Sequence, residues 1–214
     1  MKIIILIPVY NDFQSASKLI EDINSVISNL NHEFSIIVIN DASTDKSEIE
    51  ISSIDKIKSI KIIKMNENRG HARCNASGLK YIFENEEFDY IIPMDGDGED
   101  RPEEIEKFVE FLKYDNTKPI VGERIKRSEG FIFTLSYNIH KLITYIFTGQ
   151  SIKFGNYTCL PKTTVEKMIN EKATWSSFSG SLAKVEKNRS TIPSIRGSRY
   201  FGPSKMSFFN LIKH

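Results

Sequence analysis

The sequence predicts an α/β protein with a mostly parallel central sheet and helices on both faces of that sheet. Apolar runs of strand length alternate with segments of helical period over residues 1–125, which is the pattern of parallel strands joined by covering helices. The runs are apolar on both faces, as in parallel strands that are buried on both sides. A chain of 214 residues suffices for one substantial core, so we expect a single domain over residues 1–214.

Each predicted element follows from its own stretch of sequence. The first strand is the apolar run KIIILIPV, and the helix that begins near Phe13 places its apolar residues on one face. Pro102 suits the first turn of a later helix because its missing N–H is tolerated there. The other predicted strands are EFSIIVIN, SIKIIKM, FDYIIPM and PIVGE, and the other predicted helices cover residues 69–85 and 102–114.

A different pattern follows Arg127. The segment GFIFTLSYNIHKLITYIFTG, residues 130–149, has helical spacing but is apolar almost all round, so it must be buried on more than one side. It is either a core helix or a helix that lies on a membrane surface or binds a lipid. No stretch of the sequence reaches the roughly 18 uninterrupted apolar residues of a membrane span.

Charge and cysteine usage limit the partners and the compartment. With 29 basic and 28 acidic residues the net charge is +1, so no global field attracts nucleic acid, and none is expected as a partner. Cys74 and Cys159 fit neither a disulfide framework nor a metal pattern, which favours a reducing cytoplasm. We interpret MKIIILIPVY as a strand and not as a signal peptide. We therefore expect a cytoplasmic protein, either soluble or bound to a membrane surface.

An acidic cluster follows the fourth predicted strand. In IIPMDGDGEDRP, residues 91–102, Asp95 and Asp97 stand one residue apart just beyond the strand, and open parallel sheets bind ligands at that edge. Neighbouring carboxylates cost free energy unless a cation neutralises them. Mg²⁺ or Mn²⁺ prefers oxygen ligands and keeps positions open for the phosphates of a substrate. The cluster therefore indicates a metal site, with a solvated acidic turn as the alternative.

Polar residues also follow the second and third predicted strands. Asp41, in INDASTD, is placed to accept hydrogen bonds from a base imide or a ribose hydroxyl, whereas Asp45 is interpreted as a helix cap. In NENRGHARCNASG, Gly70 lets the backbone approach a ligand, and Arg73 either faces a base or phosphate or lies on the surface. His71 is interpreted as an incidental loop residue.

Four strings of the sequence, taken as an ordered set, resemble the GT-A fold family 2 glycosyltransferases: IPVYND, INDASTD, NRGHARCNASG and MDGDGEDRP. Each string alone is weak, but the ordered set is specific and spans about the first 125 residues. The remainder is similar to the polyprenyl-phosphate branch of that family, which includes dolichyl-phosphate mannose synthase. VGERIKR resembles the glycine-x-arginine segment of that branch, and RYFGPSKMSF resembles its C-terminal signature. The QxxRW string of processive polysaccharide synthases is absent, which disfavours that activity.

The resemblance implies one GT-A domain in two parts and a role for each matching residue. Residues 1–125 would bind a nucleotide-sugar, and residues 126–214 would form the acceptor side. Asp95 would bind the ribose or diphosphate and the metal, Asp97 would bind the metal, and Glu99 would be a further metal ligand where the branch often has glutamine. The nucleotide-binding residues, with Gly70 and Arg73 included by their position, are Pro8, Tyr10, Asn11, Asp12, Asp41, Gly70, Arg73 and Asp95.

The implied activity is the inverting, metal-dependent transfer of a hexose from a UDP- or GDP-sugar to a polyprenyl phosphate such as dolichyl or undecaprenyl phosphate. Asp95, Asp97 and Arg124 are the implied catalytic residues. A lipid monophosphate is largely ionised at neutral pH, so it needs charge compensation and not a general base. The implied site lies at the cytoplasmic face of a membrane or beside a membrane-embedded partner protein. The residues expected to bind the acceptor phosphate are Arg124, Arg127, Arg199, Ser204 and Lys205.

Other activities stay open at this point. Transfer to a hydroxyl of a glycan or a lipid-linked sugar would need a general base, for which Asp100, Glu123 and His140 are the candidates. A catalytically silent nucleotide-binding module that recruits a partner is a third interpretation. Nucleotidyl transfer is disfavoured because it normally uses a glycine-rich phosphate loop near the first strand, and IPVYNDF has no glycine.

Overall fold

The computed structural model of the protein describes residues 1–51, 54–124 and 152–202. Its strands are β1 (Lys2–Val9), β2 (Glu33–Asn40), β3 (Ile57–Lys64), β4 (Tyr90–Pro93), β5 (Ile120–Arg124), β6 (Phe154–Pro161) and β7 (Ser190–Ser194). Its helices are α1 (Phe13–Val26), α2 (His71–Asn85), α3 (Glu104–Phe111), α4 (Lys162–Ile169) and α5 (Phe178–Val185), with 3-10 turns at Ile27–Asn29 and Lys172–Trp175.

One seven-stranded sheet, in the order β3-β2-β1-β4-β6-β5-β7, organises these elements. β1 pairs in parallel with β2 and β4, β2 with β3, and β5 with β7, whereas β6 is antiparallel to both of its neighbours. The predicted α/β fold with a mostly parallel sheet is confirmed. The register places Val9 beside Asn40 and Leu6 beside Pro93, so β1, β2 and β4 end at the same edge of the sheet.

Helices cover both faces of the sheet, because the central strands are apolar in both directions. Ile5 of β1 packs in the core on the side of α1 and α3, whereas Leu6 packs in the core on the side of α2, α4 and α5. Both side chains are completely buried. The apolar face predicted for the first helix is confirmed, with Leu19 and Ile23 of α1 buried. Packing on both sides fixes the strand ends from which the site is built.

The third strand departs from its prediction. The sequence predicts a strand that is apolar on both faces, but β3 lies at the edge of the sheet, and its Lys58 and Lys61 are exposed. Ile62 is 51% exposed. Lysines on an edge strand disfavour pairing with another chain. The prediction is wrong because an apolar run does not reveal which strand of a sheet lies at its edge.

Two further differences concern helix starts and the second half of the chain. α3 begins at Glu104, two residues later than predicted, because Glu104 N donates to Arg101 O and closes a turn before the helix. The helices and strands that the structure describes after β5 are not among the predicted ones. They are β6, α4, α5 and β7, and β6 inserts between β4 and β5 in the sheet.

Several predictions of the sequence fall outside the described residues. These are the aromatic segment 130–149, residues 203–214, and the candidate site residues Arg127, His140, Ser204 and Lys205. In the ranges that the structure does describe, no helix is both long enough and apolar enough to cross a membrane.

Replacing Ile5 by Ala removes buried methyl and methylene groups from the centre of the sheet, and we expect it to lower the free energy of unfolding by about 2–5 kcal/mol. The matched change Ile62→Ala on the edge strand is expected to cost less than about 1 kcal/mol, because that side chain is half exposed. Urea denaturation of the two variants measures both losses. Equal losses would contradict the sheet order.

Candidate active site

The carboxyl ends of β1, β2 and β4 form a polar edge that carries most of the predicted site residues. Tyr10 and Asp12 follow β1, and Asp41 follows β2. Residues 95–100, which we name the acidic loop, follow β4. Pro8 lies inside β1, one residue before its end. The structure therefore brings the predicted nucleotide-binding and metal-binding residues to one edge of the sheet.

Asn11 joins the loops that follow β1 and β2. Its φ of 50° is a left-handed conformation, which asparagine tolerates better than most residues. The Asn11 side-chain oxygen accepts hydrogen bonds from Thr44 N at 2.7 Å and from Asp45 N at 3.1 Å, and Asn11 N donates to Ser43 Oγ at 2.9 Å. The predicted helix cap at Asp45 is wrong, since residues 41–51 form no helix. Asn11 therefore holds the two loops together, while Tyr10 beside it is 37% exposed.

Asp41 holds the start of α2. Its two carboxylate oxygens accept hydrogen bonds from Arg69 N and Gly70 N, each at 2.9 Å. The side chain is buried, and Gly70 has a φ of 84° that favours glycine. Arg73 lies on the exposed side of the first turns of α2. Both oxygens of the Asp41 carboxylate are thus engaged by the backbone. The binding of a nucleotide by Asp41 stays a prediction.

The acidic loop is braced by its own carboxylates. Asp100 is buried and its Oδ2 accepts a hydrogen bond from Asp95 N at 2.9 Å. Burial, and then the negative charge of Asp95, raise the pKa of the Asp100 carboxyl well above its usual range. Asp97 Oδ1 accepts from Glu99 N at 3.0 Å. Burial is also the main cause of the raised pKa of Asp97, and the charges of Asp95 and Glu99 add to it. Burial therefore makes the ionised form of both carboxyls less favourable than it is in water.

Two residues from other elements contact Asp95. His71 Nε2 lies 3.4 Å from Asp95 Oδ1, so His71 is a neighbour of the acidic loop and not the incidental loop residue expected from the sequence. Asn156 of β6 donates to the same Asp95 oxygen at 3.4 Å and also contacts the His71 ring. Asn75 Nδ2 lies 3.0 Å from His71 Nε2. These contacts fix the side-chain direction of Asp95 from two sides.

Arg199 lies between the loop after β1 and the acidic loop. Its Nη1 donates to Asp97 Oδ2 at 2.6 Å, and its Nη2 donates to Asp12 Oδ2 at 2.5 Å. The three side chains are 16–17% exposed. Asp12 Oδ1 accepts from Ser15 Oγ at 2.6 Å, which orients that carboxylate at the start of α1. The sequence predicts Arg199 as a ligand of the acceptor phosphate. In the structure it contacts Asp12 and Asp97, which are predicted to bind the nucleotide and the metal.

Arg124 borders the acidic loop from the side of β5. It is the last residue of that strand, and its side chain lies over β6, where a Cβ added at Gly155 would be 3.2 Å from Arg124 Nη2. The charge of Arg124 also favours ionisation of Asp100. The structure therefore places one predicted acceptor-binding arginine close enough to the acidic loop for its charge to act on Asp100.

The residues of the acidic loop fit a hard divalent cation by their chemistry. Asp95, Asp97 and Glu99 offer only oxygen atoms, which is the donor set of Mg²⁺ and Mn²⁺. Within the described part of the chain, no three His, Cys, Asp or Glu side chains are arranged to hold a metal ion. Mg²⁺ commonly binds through one or two carboxylates and completes its shell with water and substrate phosphates. A site that is completed by the substrate is therefore compatible with this geometry.

The comparison with protein families identifies the class. The family model described as Glycosyl transferase family 2 matches residues 4–176. This range is well over half of the chain, so the chain belongs to glycosyl transferase family 2. The family resemblance predicted from the four strings is confirmed, whereas the polyprenyl-phosphate branch stays a prediction.

Solved structures share the fold. TarS 1–349 of S. aureus, in complex with UDP-GlcNAc, is 13% identical and aligns with a TM-score of 0.59 over 94% of this chain and 60% of that chain. The mannosyltransferase PcManGT of Pyrobaculum calidifontis, in complex with GDP-Man and Mn²⁺, is 15% identical, with a TM-score of 0.57 over 91% of this chain and 56% of that chain. This chain thus spans no more than 60% of the length of either. At these identities the likeness establishes the GT-A-like fold.

Some site residues escape the analysis of the sequence. Asn156 lies in β6, which the sequence does not predict, and its only sequence signal is a polar residue among apolar ones near the start of a strand. Asp22 accepts a hydrogen bond from the Tyr200 hydroxyl at 2.7 Å across 178 residues. On α1, Asp22 has the pattern of an ordinary solvated helix residue, so no local signal marks it.

Asp41→Ala leaves the backbone N–H groups of Arg69 and Gly70 without their carboxylate partner. We expect a loss of about 2–4 kcal/mol in the free energy of unfolding, since hydrogen bonds to a charged group are strong and water cannot fully replace them at this buried position. Asp45→Ala, an exposed neighbour in the same loop, is the matched control and should stay within about 0.5 kcal/mol of the wild type. Thermal unfolding followed by circular dichroism compares the two variants. A stable Asp41→Ala variant would contradict a role for Asp41 in holding α2.

Proposed function

We propose that the protein transfers a sugar from a nucleotide-sugar to a polyprenyl phosphate, with inversion at the anomeric carbon and with the help of a divalent cation. The observation that carries the proposal is the Arg199 guanidinium, which contacts Asp97 of the acidic loop, together with Arg124 at the end of β5. Arginines suit an acceptor that arrives as an anion. The proposal is one activity within glycosyl transferase family 2.

The donor half of the proposal depends on the loops after β1, β2 and β4. Asp95, Asp97 and Glu99 are the residues that would hold Mg²⁺ or Mn²⁺, and the bound cation supplies neutralisation of the charge on the departing nucleoside diphosphate. TarS is known in complex with UDP-GlcNAc and PcManGT in complex with GDP-Man and Mn²⁺, which supports a UDP- or GDP-sugar as the donor. The residues proposed to bind it are Pro8, Tyr10, Asn11, Asp12, Asp41, Gly70, Arg73 and Asp95.

The acceptor half follows from the state of the candidate bases. Asp100 is the buried last residue of the acidic loop and accepts a hydrogen bond from Asp95 N, and Glu123 forms an ion pair of 3.1 Å with Lys153. His140 lies outside the described residues. A phosphate monoester, with a second pKa of about 6, attacks without losing a proton to a base. The engaged carboxylates therefore favour a phosphate over a hydroxyl as the attacking group.

The chemical step is a single displacement. An oxygen of the acceptor phosphate forms a bond to the anomeric carbon, the bond from that carbon to the diphosphate oxygen breaks, and its electron pair leaves with the nucleoside diphosphate. Attack from the side opposite the leaving group inverts the anomeric centre. The charge of the acceptor phosphate would be compensated by the residues predicted to bind it. These are Arg124, Arg127, Arg199, Ser204 and Lys205.

The acceptor determines where the reaction takes place. A polyprenyl chain is apolar and stays in a bilayer, so its phosphate is presented at the membrane surface. We therefore place the protein at the cytoplasmic face of a membrane, bound to the surface itself or to a membrane-embedded partner protein. The near-zero net charge gives no support for nucleic acid as a partner.

Transfer of label from a radioactive UDP- or GDP-sugar into the organic phase, with a short-chain polyprenyl phosphate and Mn²⁺, tests the proposal. We expect saturable transfer that a chelator abolishes, and a fall in rate of about 10²-fold or more for Asp97→Asn and for Arg124→Gln. Glu87→Gln, a highly exposed carboxylate just before β4, is the matched control and should keep the wild-type rate.

The same assay separates the alternatives. Label that enters a glycan or lipid-linked sugar with a free hydroxyl, and never the polyprenyl phosphate, would refute the proposed acceptor. Nucleotide binding by calorimetry without consumption of any donor would identify a silent binding module instead.

A further inference from the structure

We propose that residues 195–202, the C-terminal arm, form a latch that keeps Arg199 on Asp12 and Asp97 in the place that a divalent cation and its diphosphate need, so that loading of the site requires release of the arm. The inference rests on the proposed metal-dependent function and adds a regulatory contact to it. It concerns an arginine that the sequence assigns only to the acceptor.

The charge of Arg199 neutralises two carboxylates of the predicted site. Arg199 spans two carboxylates that come from different strand ends, Asp12 after β1 and Asp97 in the acidic loop, at 2.5 Å and 2.6 Å. A guanidinium in this position does what a bound cation would do, because it neutralises carboxylates that are only 16–17% exposed. A guanidinium and a divalent cation repel each other, so they compete for the Asp97 carboxylate.

Backbone hydrogen bonds attach the arm to the acidic loop. Tyr200 N donates to Asp97 O at 2.9 Å, and Gly197 N donates to Glu99 O at 2.7 Å, so the arm is bonded to the backbone of the acidic loop itself. The Tyr200 ring occupies the space beside Gly98, where an added Cβ would lie 2.5 Å from a ring carbon. These contacts hold the arm against the acidic loop on both sides of Arg199.

A third contact ties the arm to a helix that carries no predicted site residue. The Tyr200 hydroxyl donates to Asp22 Oδ2 of α1 at 2.7 Å. This hydrogen bond holds the arm without touching Asp97 or Asp12. It offers a way to weaken the latch while all of the proposed metal ligands and Arg199 itself stay in place.

One hydrogen-bond donor of Arg199 lacks a partner within the described part of the chain while the arm is bound to the acidic loop. Arg199 Nε is buried and lacks a hydrogen-bond partner among the residues that the structure describes. A buried donor without a partner costs free energy. The contact of Arg199 with the two carboxylates thus leaves one of its buried donors unused by any described residue, which suits a contact that is exchanged during the working cycle. Once released, the guanidinium is available to a phosphate.

Binding of Mn²⁺ alone, measured by electron paramagnetic resonance of the free ion in the absence of nucleotide, tests the latch. We expect Arg199→Gln to bind Mn²⁺ about tenfold more tightly than the wild type, because Asp12 and Asp97 lose their competing cation. Tyr200→Phe should bind it about threefold more tightly, since it only weakens the attachment of the arm. Arg69→Gln removes the same charge from an exposed ion pair with Glu67 and should stay within about twofold of the wild type.

Each outcome supports or refutes the latch. Equal or weaker Mn²⁺ binding by Arg199→Gln would overturn it, and so would a gain in Arg69→Gln as large as that in Arg199→Gln. If Arg199→Gln is unfolded in circular dichroism, Tyr200→Phe decides, and unchanged affinity in that variant overturns the latch. Failure of every protein to bind Mn²⁺, even with a nucleoside diphosphate present, would instead refute the metal-dependent function on which the inference rests.

Discussion

The concentration of carboxylates after β4 is the constraint on which the rest of the site depends. Asp95, Asp97 and Asp100 lie within six residues, and Asp100 is buried with a raised pKa. Positive charge close by stabilises such a loop. Arg199 supplies it on the side of β1, and Arg124 supplies it on the side of β5. A nucleotide-sugar bound with a cation would meet the same requirement in another way, which links the stability of the ligand-free protein to the chemistry that we propose.

The topology of the sheet explains how these groups meet. β5 and β7 are parallel, and Arg124 pairs with Ser194 at the end of both strands, so the arm starts beside Arg124 and passes directly onto the acidic loop. β6 runs antiparallel between β4 and β5. Its first residues therefore lie at the edge where the parallel strands end, and this places Asn156 next to Asp95. A parallel strand in that position would present its last residues there instead.

The sequence predicts those parts of the molecule that local pattern determines. Apolar runs locate β1 and β2 with their observed ends, and the spacing of Asp95 and Asp97 after an apolar run locates the acidic loop. The contacts that complete the site are not local: Arg199 reaches Asp97 across 102 residues, and Asn156 reaches Asp95 across 61 residues. No periodicity or composition in the sequence indicates these two contacts. They depend on the insertion of β6 between β4 and β5 and on the path of the arm over the acidic loop. The exposure of β3 is missed for the same reason, because strand order is a property of the whole sheet.

In the proposed function, the carboxylates after β4 would hold a cation that neutralises the charge of a departing diphosphate. A crystal structure with Mn²⁺ and a nucleoside diphosphate, with manganese located by its anomalous signal, tests it most directly. We expect a manganese peak bonded to Asp97 and to the diphosphate, with the Arg199 guanidinium no longer on Asp97. A bound diphosphate with no manganese beside the acidic loop, and with Arg199 still on Asp97, would contradict it.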